Sequence, residues 1–205
     1  MKAIVLAGDK HYLTPILTTI KSILYYNQNV KIYILHQNIP SDWFHELKVQ
    51  VEMLGSIVED IYIGDVINPE WKTQAHISPI AYARYLIPRL TTEDRVVYLD
   101  SDIIVHGDLS PLFDLDLGDY SLAAVRDVDG NGFNSGMLVI DCQKWREKDV
   151  TSLLFDKTVE YMSYLNQNTT EDFNGDQTIF NLVFQNHWLE LSLIHISEPT
   201  RPLYI

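Results

Sequence analysis

Residues 95–102 read Arg-Val-Val-Tyr-Leu-Asp-Ser-Asp. Val96 to Leu99 is an unbroken apolar run, the signature of a short strand buried on both faces inside a parallel sheet. It leads directly into Asp100-Ser101-Asp102, and Ile103-Ile104-Val105 follow. In an extended segment, residues i and i+2 point to one side, roughly 6.5 to 7 Å apart along the chain. Two carboxylates so placed beside a buried core repel one another unless a cation lies between them. Oxygen-only ligands suit a hard divalent ion, Mn²⁺ or Mg²⁺, which can hold a diphosphate on its open positions. A solvated acidic turn is the plainer reading of a bare Asp-x-Asp, and the apolar flanks are what favour a functional one.

Working outward toward the N-terminus, strands and helices alternate. Lys2 to Ala7 and Val30 to Leu35 read as strands, and Ser56 to Ile63 is a third candidate. Between them, Leu13 to Tyr26 carries Ile16, Leu17, Ile20, Ile23 and Leu24 at helical spacing. A helix opens at Pro40-Ser41, with Ser41 expected as its N-cap and Phe44, Leu47 and Val51 on its apolar face. Ser78 to Leu90 is expected to be helical, with Pro79 in the first turn and Pro88 near the end. Beyond residue 102 the elements are shorter. Strands are expected at Ser121 to Val125 and Met137 to Ile140, loops at Asp127 to Gly136 and Asn166 to Gly175, and helices at Val150 to Leu165 and Asp176 to Phe184. Such alternation predicts an α/β fold of βαβ units with a mostly parallel central sheet and flanking helices. Ligands in such sheets bind beyond the carboxyl ends of the strands, where the strand order reverses.

Composition narrows the function. The 205 residues carry a formal charge of −13, which argues against nucleic acid as a partner, because phosphate backbones require clustered cations. An apolar fraction of 46% excludes a disordered chain. Cys142 is the only cysteine, so neither an internal disulfide nor a cysteine zinc site can form. The first apolar run, Ala3 to Ala7, is too short for a signal peptide, and no run approaches the roughly 20 residues of a transmembrane span. A cytoplasmic location is expected, with peripheral attachment at the inner membrane face as an extension of it.

Four more segments could carry chemistry. In Ala7-Gly8-Asp9-Lys10-His11-Tyr12, Gly8 allows close approach of a ligand, Asp9 can accept from a base N–H, and Tyr12 offers a stacking face. This is neither a dinucleotide fingerprint nor a P-loop, and by itself it is an ordinary strand-to-helix turn. Arg84 lies among apolar and small residues, where an arginine either snorkels to water or meets an anion. Asn134-Ser135-Gly136 precedes a strand and Asp176-Gln177 opens a helix; alone, the first is a turn and the second an acidic cap. His76, His106 and His187 show no ligand spacing, and Cys142 is expected to pack as a small hydrophobe.

Taken together, the segments resemble glycosyltransferase family 8, retaining nucleotide-sugar enzymes of the GT-A fold. The likeness rests on residues 3–12, Tyr82-Ala83-Arg84, residues 97–102, residues 133–140 and Gly175-Asp176-Gln177-Thr178-Ile179-Phe180-Asn181, in the family's order. It implies a Rossmann-like nucleotide-binding domain over residues 1–190. It further implies that Asp100 and Asp102 bind Mn²⁺ (or Mg²⁺) bridging to the diphosphate of a UDP-sugar. Ala7, Gly8, Asp9, His11 and Tyr12 would then form the uracil end of the donor site, with the Ser101 backbone near the ribose and Arg84 contacting the donor. Asn134, Asp127, Asp176 and Gln177 would surround the transferred hexose, the last three as catalytic candidates. The acceptor would be a carbohydrate, a lipid-linked sugar or a protein.

The resemblance has one departure. Family members supply a third metal ligand from a later His-x-x-Gly-x-x-Lys-Pro-Trp segment, whereas His195 here is followed by Ile196-Ser197-Glu198-Pro199. Residues 191–205 look unlike the family, and the expectation is a truncated core with a non-native tail and an incomplete metal site. Two other readings compete. A haloacid-dehalogenase-type phosphatase also uses Asp-x-Asp, but on its first strand rather than the fourth. A non-catalytic nucleotide-sugar-binding module is the other.

Overall fold

The computed structural model describes residues 1–73, 77–128, 132–167 and 173–192. His76, His195 and residues 193–205 lie outside them. Among the described residues, seven strands form one sheet: β1 (Lys2–Ala7), β2 (Val30–His36), β3 (Ile57–Tyr62), β4 (Arg95–Leu99), β5 (Leu122–Arg126), β6 (Phe133–Asp141) and β7 (Leu189–Glu190), in the order β3-β2-β1-β4-β6-β5-β7. β1 pairs in parallel with β2 and β4, β2 with β3, and β5 with β7, while β6 runs antiparallel to β4 and β5.

Period-two alternation splits the core between the two faces of this sheet. Ala3, Val5, Tyr33, Leu35 and Tyr98 pack on one face with Trp145, Leu154 and Phe180; Ile4, Leu6, Ile32, Ile34, Val97 and Leu99 pack on the other with Ile16, Ile20 and Leu47. The helices covering these faces are α1 (Leu13–Tyr26), α2 (Ser41–Glu52), α3 (Ile87–Leu90), α4 (Ser110–Asp114), α5 (Cys142–Glu147), α6 (Val150–Gln167) and α7 (Asp176–Val183). Central strands buried on both sides explain the unbroken apolar runs that mark β1, β2 and β4 in the sequence.

Several boundaries differ from the sequence expectations, each for a local reason. α2 is capped by Pro40 with extended backbone and no side-chain bond, so Ser41 is its first helical residue rather than its N-cap. The expected helix over 78–90 is a 3₁₀ helix, Pro79–Leu86, that passes into the short α3; the Ser78 hydroxyl accepts from the Ile80 N–H at its start. At three residues per turn, positions i, i+3 and i+6 share a face, and Ser78, Ala81 and Arg84 do share one: all three line the same cavity. β6 begins at Phe133 rather than Met137, and its pairing with β5 shifts register between Ala124 and Val125, looping residues 135–137 out on the β5 side.

Among the described residues, no helix is long and apolar enough to cross a membrane.

Candidate active site

Strand order reverses around β1, which lies between β2 and β4. The carboxyl ends of β1 and β4 open there onto a cavity of about 350 Å³. Its walls come from the β1–α1 turn, the 3₁₀ helix, the β4 end, the looped-out part of β6 and the start of α7. Of the residues expected at the site, Ala7, Gly8, Asp9, Tyr12, Arg84, Asp100, Ser101, Asp102, Asn134, Asp176 and Gln177 line it. His11 and Asp127 do not. The His11 backbone N–H donates to Asp9 Oδ1 at 2.9 Å, and Asp127 is tied in through Gln177, whose Nε2 donates to Asp127 Oδ2 at 2.6 Å.

Asp100, Ser101 and Asp102 form a turn rather than the expected extended run: the Ile103 N–H donates back to the Asp100 carbonyl at 3.2 Å. Both carboxylates line the cavity all the same, because Ser101 is drawn inward. Its hydroxyl donates to the Ala7 carbonyl at 2.7 Å, and its carbonyl accepts from Thr19 Oγ1 at 2.9 Å. Ser101 thereby fastens the ends of β1 and β4 together. Gly8 lines the cavity, and Ile16 Cδ1 stands 2.8 Å from where its Cβ would be, so its missing side chain also seats α1.

The inner wall is a buried ionic cluster around Arg84, whose side chain is 5% exposed. Arg84 Nη2 donates to Asp100 Oδ1 at 3.1 Å, and Nη1 donates to the Ser135 carbonyl at 2.6 Å and the Ser135 hydroxyl at 3.2 Å. The guanidinium lies over the Tyr98 ring, 4.5 Å from its centre, and the Tyr98 hydroxyl donates to the same Asp100 oxygen at 2.7 Å. Arg84 Nε is 3.1 Å from Asp176 Oδ2, yet its N–H points at the Ala81 carbonyl, leaving that buried Asp176 oxygen without a hydrogen donor. Burial therefore dominates at Asp176 and pushes its pKa up to about 6, against the pull of Arg84 and with the help of the Asp100 charge. Arg84 has a second carboxylate in Asp100; burial opposes its charge, and the facing acids overcome that and hold it protonated.

Asp100 Oδ2 sits against Gly136, where a Cβ would stand 2.7 Å away, and the Asp100 N–H donates to the Gly136 carbonyl at 2.7 Å. The Gly136 N–H in turn donates to Asn134 Oδ1 at 2.9 Å. On the outer lip, Tyr12 is 40% exposed and its hydroxyl donates to Asp102 Oδ2 at 3.1 Å; burial and the Asp102 charge raise its pKa.

The fold agrees with what comparison with known proteins finds. Residues 3–193 match the family described as glycosyl transferase family 8. The chain belongs to that family. It is 48% identical over 191 residues to the glycosyltransferase GlyD of Streptococcus pneumoniae serotype 4, covering 93% of this chain and 24% of that protein. The crystal structure of the glycosyltransferase GlyE from the same species superposes with a TM-score of 0.77 at 37% identity, over 94% of this chain and 46% of that one. The galactosyltransferase LgtC, in complex with donor and acceptor sugar analogues, shares the GT-A fold with a TM-score of 0.79 at 24% identity, over 98% of this chain and 81% of that one. The chain thus spans between a quarter and a half of the length of its pneumococcal relatives.

Enzymes of this family typically use a divalent ion, and the donor set here fits one. Among the described residues, Asp100 Oδ2 and Asp102 Oδ1 receive no hydrogen bond. Asp9, Asp100, Asp102 and Asp176 face the cavity against the single guanidinium of Arg84, so an anionic ligand needs added positive charge there. Mg²⁺ and Mn²⁺ are commonly held by one or two carboxylates, with phosphate oxygens and water completing the shell. Among the described residues, no cluster of three or more His, Cys, Asp or Glu side chains suits a metal.

Three participants lie within the quoted segments but receive no role from the sequence: Tyr98 and Ser135, which hold Arg84 and Asp100, and Asn181, discussed below. Tyr98 shows in the sequence as the one hydroxyl in the β4 run, and Asn181 as a polar residue one turn after Gln177.

Proposed function

We propose that residues 1–190 form a glycosyltransferase core that moves a hexose, glucose or galactose, from a UDP-sugar to a carbohydrate, lipid-linked or protein acceptor, with retention at the anomeric carbon. The observation that carries this reading is the meeting in one cavity of two carboxylates with free oxygens, the Asp9–Tyr12 turn and the buried Asp176.

On this reading, Tyr12 stacks on the uracil and Asp9 accepts from its N–H, with Ala7 and Gly8 as backbone floor and Ser101 fixing the two strand ends at the level of the ribose. Asp100 and Asp102 hold Mn²⁺, or Mg²⁺ in its place. When bound, the ion supplies Lewis-acid stabilisation of the negative charge that develops on departing UDP. Arg84 acts through its neighbours, holding Asp100 in place from the inner wall. Asp176 Oδ2, a buried acceptor without a donor, takes a hydroxyl of the hexose, and Asn134 reads another.

Gln177 is held at both ends, its Oε1 accepting from the Ser135 N–H at 3.1 Å and its Nε2 donating to Asp127. An amide oxygen so engaged is a poor nucleophile. This supports attack on the face that UDP leaves, with the acceptor's proton passing to the leaving phosphate. Gln177 then stabilises the ring, and Asp127 and Asp176 are the carboxylates to test for a covalent step. A cytoplasmic setting, at the inner membrane face for a lipid-linked acceptor, is part of the same proposal.

The test is a screen of UDP-sugars for Mn²⁺-dependent release of UDP, with calorimetry of UDP binding alongside. Release from UDP-glucose or UDP-galactose is the expected result. Tight UDP binding with no turnover at any Mn²⁺ concentration would favour a sugar-nucleotide-binding module. Phosphate release from phosphomonoesters would favour a phosphatase.

A further inference from the structure

β4 ends at Leu99, opposite Met137, so among the described residues β6 has no strand beside it on that side at residues 133–135. α7 takes the vacant place. Gln177 and Asn181 are four residues apart and lie on one face of the helix. Asn181 Oδ1 accepts from the Phe133 N–H at 2.8 Å, and its Nδ2 donates to the Phe133 carbonyl at 2.8 Å and to the Gln177 carbonyl at 3.0 Å. One side-chain amide thus closes both backbone groups of Phe133, as a neighbouring strand would.

The preceding residue is shaped to admit that amide. Gly132 has φ +84°, and a Cβ there would stand 2.0 Å from Asn181 Oδ1. The Gly132 carbonyl accepts from the Asp127 N–H at 3.1 Å, and Asp127 Oδ2 accepts from Gln177. Asn181 therefore fixes the backbone that carries Asp127 at one end, and the helix turn that carries Gln177 at the other. It does not line the donor cavity.

We propose that Asn181 is a positioning residue: through Phe133 and Gly132 it sets the Asp127–Gln177 pair against the transferred sugar and contributes nothing to holding UDP. This rests on the transferase reading above. An amide clip of this kind costs catalysis when it is lost, because small misplacements of reacting groups have large effects on rate.

The test uses two variants of the whole chain. Asn181→Ala deletes the clip, and Gly132→Ala displaces the amide without removing any core atom. Each is checked for folding by thermal melting. Both should lower kcat by about 100-fold, while Mn²⁺-dependent UDP affinity stays within about twofold and backbone amide exchange at Phe133 and Ser135 accelerates. Their double variant should be less damaging than the product of the two, since the clash partner is gone. Unchanged kcat, UDP affinity falling in step with kcat, or undisturbed exchange at Phe133 would each overturn the proposal. A wild-type chain that binds UDP but releases none from any UDP-hexose would fail the transferase reading itself. The exchange and UDP-affinity measurements then still decide whether the clip exists apart from the nucleotide site.

Discussion

Asp100 and Asp102 are two residues apart and line one cavity, yet they are held in opposite ways. Asp100 belongs to the inner wall, where Arg84, Tyr98 and Gly136 fix it on three sides. Asp102 belongs to the outer lip, exposed and touched by one tyrosine hydroxyl. A carboxylate fastened from several directions is preorganised, and its loss disturbs the protein as well as the ligand. One at the rim can move to meet a ligand, and its loss is felt only in binding. The two halves of a single motif thus divide stability from recognition.

The sharpest way to break this contrast is Arg84→Met. It leaves Asp100 and the buried Asp176 without the cation they share, and should cost about 3–5 kcal/mol in chemical denaturation. A loss under 1 kcal/mol, roughly what an exposed pair contributes, would show that the inner wall is not the rigid half.

Asp102→Asn follows. Since disturbing the surroundings of a metal ligand alone costs about 10–100-fold in affinity, removing a direct ligand should weaken Mn²⁺-dependent UDP binding at least that much. The melting temperature should stay within about 2 °C. Calorimetry showing unchanged affinity would end the metal assignment, and a large drop in melting temperature would erase the distinction from Asp100.

The third test uses pH. Asp176 has its folded pKa pushed up to about 6, above the ordinary carboxylate value, so the folded state binds this proton more tightly than the unfolded chain does. Its contribution therefore falls as pH rises from about 4 toward 6, and is least favourable at neutral pH. Asp176→Asn should flatten that part of the curve of melting temperature against pH; an unaltered curve would mean that Asp176 is not the titrating group. The smallest effect belongs to Tyr12→Phe, which removes one half-exposed hydrogen bond and should cost about 1 kcal/mol or less in UDP binding.

Much of the inner sheet was legible from residue order. Ala3 to Leu6, Ile32 to Leu35 and Val96 to Leu99 are buried on both faces, so their apolar runs have no other simple explanation. The cavity's position follows from that topology, and Arg84 among apolar neighbours already posed the choice that Asp100 and Asp176 answer. What stayed hidden depends on partners far along the chain. β6 extends back to Phe133 because Gln177 and Asn181, more than forty residues later, complete its backbone bonding, and no local pattern encodes that. α4, α5 and β7 span five, six and two residues, too short for a periodic signal. The orphaned Asp176 oxygen is likewise invisible until Arg84 Nε is seen to prefer Ala81.

The threefold winding of Pro79–Leu86 carries one more consequence. Each residue there advances about 120° around the axis, against about 100° in an α-helix. Relaxing the segment to α geometry would swing Arg84 by roughly 60° relative to Ala81, away from both aspartates. Inserting or deleting one residue between them would turn it through a third of a circle. The segment works as a gear whose tooth count sets where the guanidinium lands, so its length should tolerate change far less than its composition does.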